Sequence, residues 1–550
     1  MRYFRLTSLL LPLLLHTVVG NAVPARRDTL IVRQPDGTNM TIVYQGDENG
    51  VFYTTLDGTP VEKSSDGFWR KSIVMSAAPA RTTYMAAAPA SYKVRDFPTE
   101  GNPRCLVVLV DFLDRKFTMD DELIRKKYWD LCNLKGYTNT VTYKGETFQG
   151  AIGSIKDYFE AQSYGVFSPS FDIIGPVHAA YGYAKYGKNT TSKPGTDTSN
   201  AMTLVKEICD SIISGNLADL TIYDNDRDGQ VDMLGVIFAG NGENYSGSDP
   251  NTIWPHQYEI ALQNIYGISY VNYFCTCELF WDSDSIIDGI GTFCHEFSHI
   301  LGLPDFYDTA SGSSNGMGYW SIMSYGSYGN KGFAPSGYTA FERYSLGWID
   351  IPSADAPGSY TLEDLNDSGR ALRLDTDDEN KFILLENHQN EGWFKYQPAS
   401  GLMVTSVSYK KERWLNNTVN AAAKNYTILP ADNNDDVKSG SGDLFPYNGM
   451  DSITMNSTPA LKVYDGSYIT LPVTNIRNSG GKVTFRLGYG PDTPVKGLQE
   501  STVKSGMIQV FSISGKPAGE YSADMEIDEL PLQPGIWLVR KNGVTTKVKR

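Results

Sequence analysis

A chain of 550 residues is too long for one hydrophobic core, so three or four folded units are expected. Its 48 Lys and Arg against 63 Asp and Glu leave a net charge of −15, which argues against nucleic acid or an anionic membrane as partner and suits solubility and calcium binding. Aromatic residues at 12%, with 34 Tyr among them, mark a folded, strand-rich chain rather than a disordered one.

The opening MRYFRLTSLLLPLLLHTVVGNAVPA sets Arg2 and Arg5 before the apolar run Leu9 to Val19, with Gly20 and Ala22 as small residues for cleavage. That run is too short to cross a bilayer, so residues 1–22 read as a signal peptide. The protein is therefore expected to be secreted or at the outer cell surface, and no later stretch is long and apolar enough for a transmembrane segment. Short strands follow, separated by QPDGT, DENG, LDGT and SDGF, and then the Ala/Pro-rich AAPARTTYMAAAPASYK at 77–93. A small β unit on an exposed linker suggests a pro-domain, so 23–97 are read as pro-domain and linker, with Arg81 and Arg95 as cleavable positions. A permanent N-terminal module is the alternative.

From Cys105 the pattern changes. CLVVLVDF at 105–112 and LGVIFAG at 234–240 are apolar runs of strands buried on both faces, while SIKDYFEAQSYG and MTLVKEICDSII are amphipathic helices. Residues 98–350 thus read as a mixed α/β (α+β) domain. ALRLDT, KFILLEN, GLMVTSVSY, YITLPVTNI and KVTFRLGY make 351–490 an all-β sandwich. MIQVFSISGK and GIWLVRKNGVTTKVKR read as hairpins, so 491–550 form a further small β domain in a multidomain chain. The six cysteines all lie between Cys105 and Cys294 without a CxxC spacing, either bridged within that domain or buried as free thiols.

The chemistry sits in GTFCHEFSHILGLPDFYD, 291–308. On a helix, His295 and His299 lie one turn apart on one face and can reach one zinc ion. Glu296 lies beside the metal, positioned to take a proton from water and pass it to a leaving amine. Gly302 can end the helix in a left-handed conformation, after which Asp305 arrives as the third ligand. Asp308 and Glu342 are the alternatives. Cys294 points about 100° away from His295 around the helix and reads as a small buried residue. The pro-region carries no cysteine, so inhibition by it requires a carboxylate or steric cover.

Downstream, GYWSIMSYG completes a resemblance to the metzincin proteases: a long zinc motif with a glycine, then a tight turn with a methionine, here Met323. The resemblance implies that Met323 underlies the zinc site and that Tyr325 helps hold the oxyanion. A turn tyrosine facing solvent is the other reading of Tyr325. Asp305 departs from the third histidine that many metzincins carry. A fuller resemblance is to secreted metallopeptidases of the immune-inhibitor-A family. It rests on GSIKDYFEAQSYG, DNDRDGQVD, IWPHQ, WSIMSYG, SLGWID, KFILLENHQNEGW, RWLNNTVN and SGDLFP as well as the zinc motif. It implies endopeptidase activity on proteins, zinc and structural calcium. For calcium, Asp224, Asp226, Asp228 and Asp232 alternate along a loop with Gly229 at the sharp turn and Gln230 offering its carbonyl. The loop lacks the glutamate of a full EF-hand; that position is Gly235. VFSISGKP, LPLQPGIWLVRKNG and the basic end KVKR resemble the sorting domain of type IX secretion substrates, which implies secretion machinery as a partner.

The expected function is a secreted, zinc-dependent endopeptidase hydrolysing peptide bonds in proteins by metal-activated water, with Glu296 as general base. The alternatives are a glycan- or host-protein-binding surface protein and a peptidase restricted to glycoproteins.

Overall fold

Residues 29–71 alternate side chains between two faces and turn at glycine-containing tetrads, so successive strands pair antiparallel. β1 (Thr29–Arg33), β2 (Asn39–Asp47), β3 (Gly50–Thr55), β4 (Pro60–Lys63) and β5 (Trp69–Lys71) form one meander in that order. The computed structural model describes residues 22–71, 97–189, 199–245, 249, 251–310, 316–488 and 507–549, less a few single positions and short turns within them. Residues 1–21 of the expected signal peptide and the Ala/Pro-rich linker lie outside the described residues.

The second sheet carries the centre of the molecule. β6 (Arg104–Asp111) is followed by α1 (Asp121–Asn133), the hairpin β7 (Thr140–Tyr143) and β8 (Glu146–Gln149), and α2 (Ile155–Gln162). Then come β9 (Ser170–His178), α3 (Ala184–Gly187), α4 (Ser199–Gly215), β10 (Leu234–Asn241), β11 (His256–Ile265) and β12 (Ile268–Leu279). Strand order is β11-β12-β10-β6-β9, parallel except for β11 at the edge. The period of two along β6 divides the core. Leu106, Val108 and Val110 pack with Leu204, Val205 and Ile208 of α4 on one face. Cys105, Val107 and Leu109 join Ile124 of α1 and Phe159 of α2 on the other. Both faces are covered, so this strand reads as a continuous apolar run.

α5 (Gly291–Ile300), the helix of the histidine motif, joins the second core, and every one of its residues is buried. Phe297 is its anchor, with ring centroids 5.0 Å from Phe159, 5.5 Å from Phe171 and 5.6 Å from Phe97, all edge-on. α6 (Ala340–Ser345) follows, started by a capping box between Thr339 and Glu342.

Next come β13 (Gly358–Leu362), α7 (Leu365–Ser368), β14 (Ala371–Asp375), β15 (Lys381–His388), β16 (Gly401–Ser408), α8 (Lys411–Leu415), β17 (Tyr426–Ile428), β18 (Val473–Ser479) and β19 (Lys482–Leu487). They form two sheets, β14-β15-β16-β17 and β13-β19-β18. Ile383, Leu385, Leu402 and Val404 face the smaller sheet, while Phe382, Leu384, Met403 and Val407 join the core that holds α5. Residues up to Leu487 therefore form one compact unit. Gly488–Arg550 form a second, whose sheet β21-β20-β22-β23 comprises β20 (Met507–Ser512), β21 (Pro517–Ser522), β22 (Ile536–Lys541) and β23 (Val544–Lys549). Its own small core is Ile508, Val510, Leu530, Val539 and Val548. All six cysteines are buried free thiols. No helix among the described residues is long and apolar enough to cross a membrane.

Phe297→Ala removes the ring on which this cluster closes. It is expected to cost about 3–5 kcal/mol of stability, the range for a buried phenylalanine. Urea denaturation checks this; a loss below about 1 kcal/mol would show that the cluster repacks around the gap.

Candidate metal centre and the cleft over it

Helix α5 ends where the motif turns. Gly302 adopts φ +98°, its N–H donates to His299 O at 2.9 Å, and the Leu303 N–H donates to Ser298 O at 3.1 Å. This pair of bonds is a Schellman cap, and it needs a residue that tolerates positive φ. The cap has a chemical consequence. Leu303 O, set by it, lies 2.7 Å from His299 Nδ1. On the other side Ile322 O lies 2.7 Å from His295 Nδ1. A carbonyl can only accept, so both Nδ1 atoms carry a proton, and in the neutral imidazoles both Nε2 atoms present lone pairs.

Those Nε2 atoms point at Asp305. Asp305 Oδ1 is 3.1 Å from His295 Nε2 and 3.4 Å from His299 Nε2, and the side chains of all three residues are fully buried. His295 Nε2, His299 Nε2, Asp305 Oδ1 and Glu296 Oε2 are buried with no hydrogen-bond partner. Burying four unsatisfied polar atoms in one place is costly unless a cation satisfies them together. Ligand atoms of His295, His299 and Asp305 lie within 4.8 Å of one another. Two imidazole nitrogens and one carboxylate oxygen are a donor set that suits zinc with one position left open.

Asn417 orients the carboxylate. Its Nδ2 donates to Asp305 Oδ2 and its Oδ1 accepts from the Asp305 N–H, both at 2.6 Å. Burial pushes the Asp305 carboxyl up, but His299 and His295 outweigh it and hold the group well below the usual range. Burial pushes Glu296 up to about 8, opposed by His295 and by a main-chain N–H. Met323 is fully buried in the turn below. Its carbonyl accepts from the Phe306 N–H at 2.7 Å, which ties the methionine turn to the segment carrying Asp305.

The N–H at Glu296 belongs to Val23, 2.7 Å from Oε1. Residues 22–27 run through the cleft over the centre, with Ala22 to Ala25 buried. Tyr307 OH donates to Ala22 O at 2.6 Å, Trp254 Nε1 to Val23 O at 3.1 Å, and Tyr328 OH to Pro24 O at 2.7 Å. The Arg26 N–H donates to Asn244 O at 2.9 Å. The cleft thus grips a peptide main chain, and the meander β1–β5 follows directly from it.

The other residues singled out by sequence fall as follows. Tyr325 is buried with its ring 6.1 Å from Tyr319 and 6.4 Å from Tyr307, and the Arg27 guanidinium lies over it at 4.5 Å. Glu342 is engaged by Ser321 and Thr339 in its cap, and Asp308 accepts from the Ala310 N–H. Three further histidines are engaged elsewhere: His178 meets Asp111, His256 meets Trp254 O and Tyr273, and His388 meets Glu386 and Gln397. Asp224, Asp226, Asp228 and Asp232 bring carboxylate oxygens within 4.8 Å of one another in a second group. Gly229 turns that loop at φ +86°, and the Gln230 N–H donates to Asp228. Asn417, Tyr307 and Trp254 escaped the sequence reading as functional residues. Asn417 sits in RWLNNTVN, 112 residues from Asp305, and no local spacing links the two.

Asn417→Ala is expected to weaken zinc binding about 10–100-fold while His295 and His299 remain, as loss of a residue orienting a ligand does. Competition with a chromogenic chelator measures it; unchanged affinity would remove Asn417 from the centre.

Residues 93–349 match the family model of the immune inhibitor A peptidase M6 catalytic domain. The chain is 30% identical over 283 residues to the pre-pro-metalloprotease PrtV of Vibrio cholerae serotype O1, covering 44% of this chain and 29% of that protein. It is 27% identical over 286 residues to immune inhibitor A of Bacillus thuringiensis subsp. alesti, covering 46% of this chain and 41% of that one. The chain thus spans less than half the length of each of these relatives. Residues 93–349 are a region similar to the catalytic domain of peptidase family M6, and of the two relatives PrtV is named a metalloprotease.

Proposed function

We propose that the chain is an exported zinc-dependent endopeptidase whose cleft is covered, in the precursor, by residues 23–27. The observation that carries the reading is the convergence of His295 Nε2, His299 Nε2 and Asp305 Oδ1, buried and unpartnered, beside an unpartnered Glu296 Oε2.

His295, His299 and Asp305 would hold zinc, and the similarity to metalloproteases supports that assignment. Zinc bound there supplies a Lewis acid that polarises a peptide carbonyl and renders water nucleophilic near neutral pH. Glu296 takes the proton of the attacking water and returns it to the leaving amine. Its 2.7 Å approach to the Val23 nitrogen supports the second half of that role, because it sets the carboxylate against a main-chain nitrogen at the place of a leaving group. Tyr307, whose hydroxyl donates to a main-chain carbonyl in the cleft, is a donor for the carbonyl under attack. Tyr325 remains a second candidate for that role in the same aromatic cluster.

Residues 23–97 act as the pro-domain, and the cover is steric, since the segment meets Glu296 through a main-chain N–H rather than a side-chain ligand. Calcium at Asp224, Asp226, Asp228 and Asp232, with Gln230, would be structural. Asn225 in the same loop ties to the main chain of Arg104 at the start of β6 and to Asp232, so the loop braces the central sheet. The second unit serves as the sorting tail read by secretion machinery, and protein or peptide substrates complete the reading.

Glu296→Ala is expected to retain zinc and the fold and to abolish casein cleavage; retained turnover would sink the mechanism. Limited trypsin treatment that releases the segment before Phe97 is expected to raise casein cleavage by about tenfold or more, since a tethered segment faces the cleft at mM effective concentration. Equal activity before and after release would refute the cover.

A further inference from the structure

The Arg26 side chain enters a pocket that the metal centre does not use. Its guanidinium lies over the indole of Trp281, and the pocket is lined further by Asn244, Tyr245, Asp288 and Tyr328. Asp288 is partly buried. Burial pushes its carboxyl up to about 7, against the Gly289 N–H and the charge of Arg26, which act the other way. Lys331 also lines the pocket, and its ammonium is paired with Glu146 at 2.8 Å.

The platform is built rather than incidental. Trp281 stands at φ +49°, a conformation a bulky residue adopts only when held there. Asn241 Nδ2 holds it by donating to Trp281 O at 2.7 Å and to Ser283 O at 3.1 Å. Phe280 stacks on the indole at 4.0 Å, and Tyr143 meets its ring edge-on at 5.4 Å. An aromatic face with a carboxylate in the same pocket binds a flat cation by stacking and by charge.

We infer that Trp281 and Asp288 form a specificity subsite for arginine on the amine side of the cleaved bond, and that Arg26 occupies it in the precursor. The inference rests on the peptidase reading above. The Val23 nitrogen lies 2.7 Å from Glu296 Oε1, where a leaving nitrogen would sit, so Arg26 is the fourth residue on that side. The same pocket then serves twice, holding the pro-segment before activation and selecting substrates afterwards.

Two measurements test it. The first needs no catalysis: hydrogen exchange at residues 22–27 in the full chain, for wild type, Arg26→Ala, Asp288→Asn and the double variant. Each single variant is expected to speed exchange about tenfold, the size of one hydrogen bond to a charged group, and the double variant no further. Additive effects, or an Asp288→Asn chain that exchanges like wild type, would overturn the subsite.

The second uses the zinc-loaded full chain carrying Arg26→Ala, which empties the pocket. It is offered two peptides containing Ala-Val-Pro-Ala-Arg or the same with neutral citrulline. A higher kcat/KM for the arginine peptide, abolished by adding Asp288→Asn with the citrulline rate unchanged, supports selection. Equal rates for the two peptides overturn it. If neither peptide nor casein is cut before or after tryptic release of the segment before Phe97, the peptidase reading itself falls, while the exchange result still decides whether the pocket holds arginine.

Discussion

Two main-chain carbonyls decide what the centre can be. An imidazole can turn about its χ2 torsion and present either nitrogen, so a pair of histidines one turn apart does not by itself define a binding site. Ile322 O and Leu303 O remove that freedom by accepting from the two Nδ1 atoms. Each carbonyl is itself set by another feature. Leu303 is placed by the Schellman cap at Gly302, and Ile322 by the methionine turn that binds the Phe306 N–H through Met323 O. The same two features flank Asp305, so the third donor is positioned by the constraints that orient the first two. Close packing makes this rigid: a Cβ on Gly291 would fall 1.9 Å from Ser327 O, so the start of α5 is pressed against the segment after the turn.

The cleft above binds main chain more than side chain. Tyr307, Trp254 and Tyr328 each donate to a carbonyl of successive residues, and such donors read any sequence. Aromatic donors serve this well because their rings bury apolar area while the polar tip stays directional. On the proposed reading, discrimination comes from side-chain pockets at the edge, where Arg26 lies over Trp281. Residues 22–27 occupy these main-chain contacts and lead directly into the sheet β1–β5. Contacts this general hold a free peptide weakly, and a folded domain that tethers the peptide supplies the effective concentration instead.

How much of this was legible beforehand depended on how local the determinant was. His295, Glu296 and His299 share one helical turn, and Asp305 follows a glycine that can only mean a turn, so backbone geometry alone brings them near one another. The buried strands at 105–112 and 234–240 were legible because both faces of a parallel sheet are covered. Asn417, Tyr307 and Trp254 were not, because each acts through a partner far along the chain. Trp254 reaches Val23 across 231 residues, and no periodicity encodes such a pairing. His256 likewise is a core residue whose partners, Trp254 O and Tyr273, only the fold supplies.

The sequence by itself determined the chemical vocabulary: two imidazoles and a carboxylate at ligand spacing, a glutamate beside them, an acidic loop and a β-rich chain. These are set by residue type and by the fixed geometry of helices and turns, which act over a few positions. Only the tertiary structure decided which nitrogen each histidine offers, which residue orients Asp305, and what lies in the cleft. Those outcomes depend on carbonyls, amides and side chains that become neighbours only when the sheet, α5 and the sandwich close on a shared core. The burial that closes it excludes the water that would otherwise satisfy these groups, and so makes each of the surviving contacts selective.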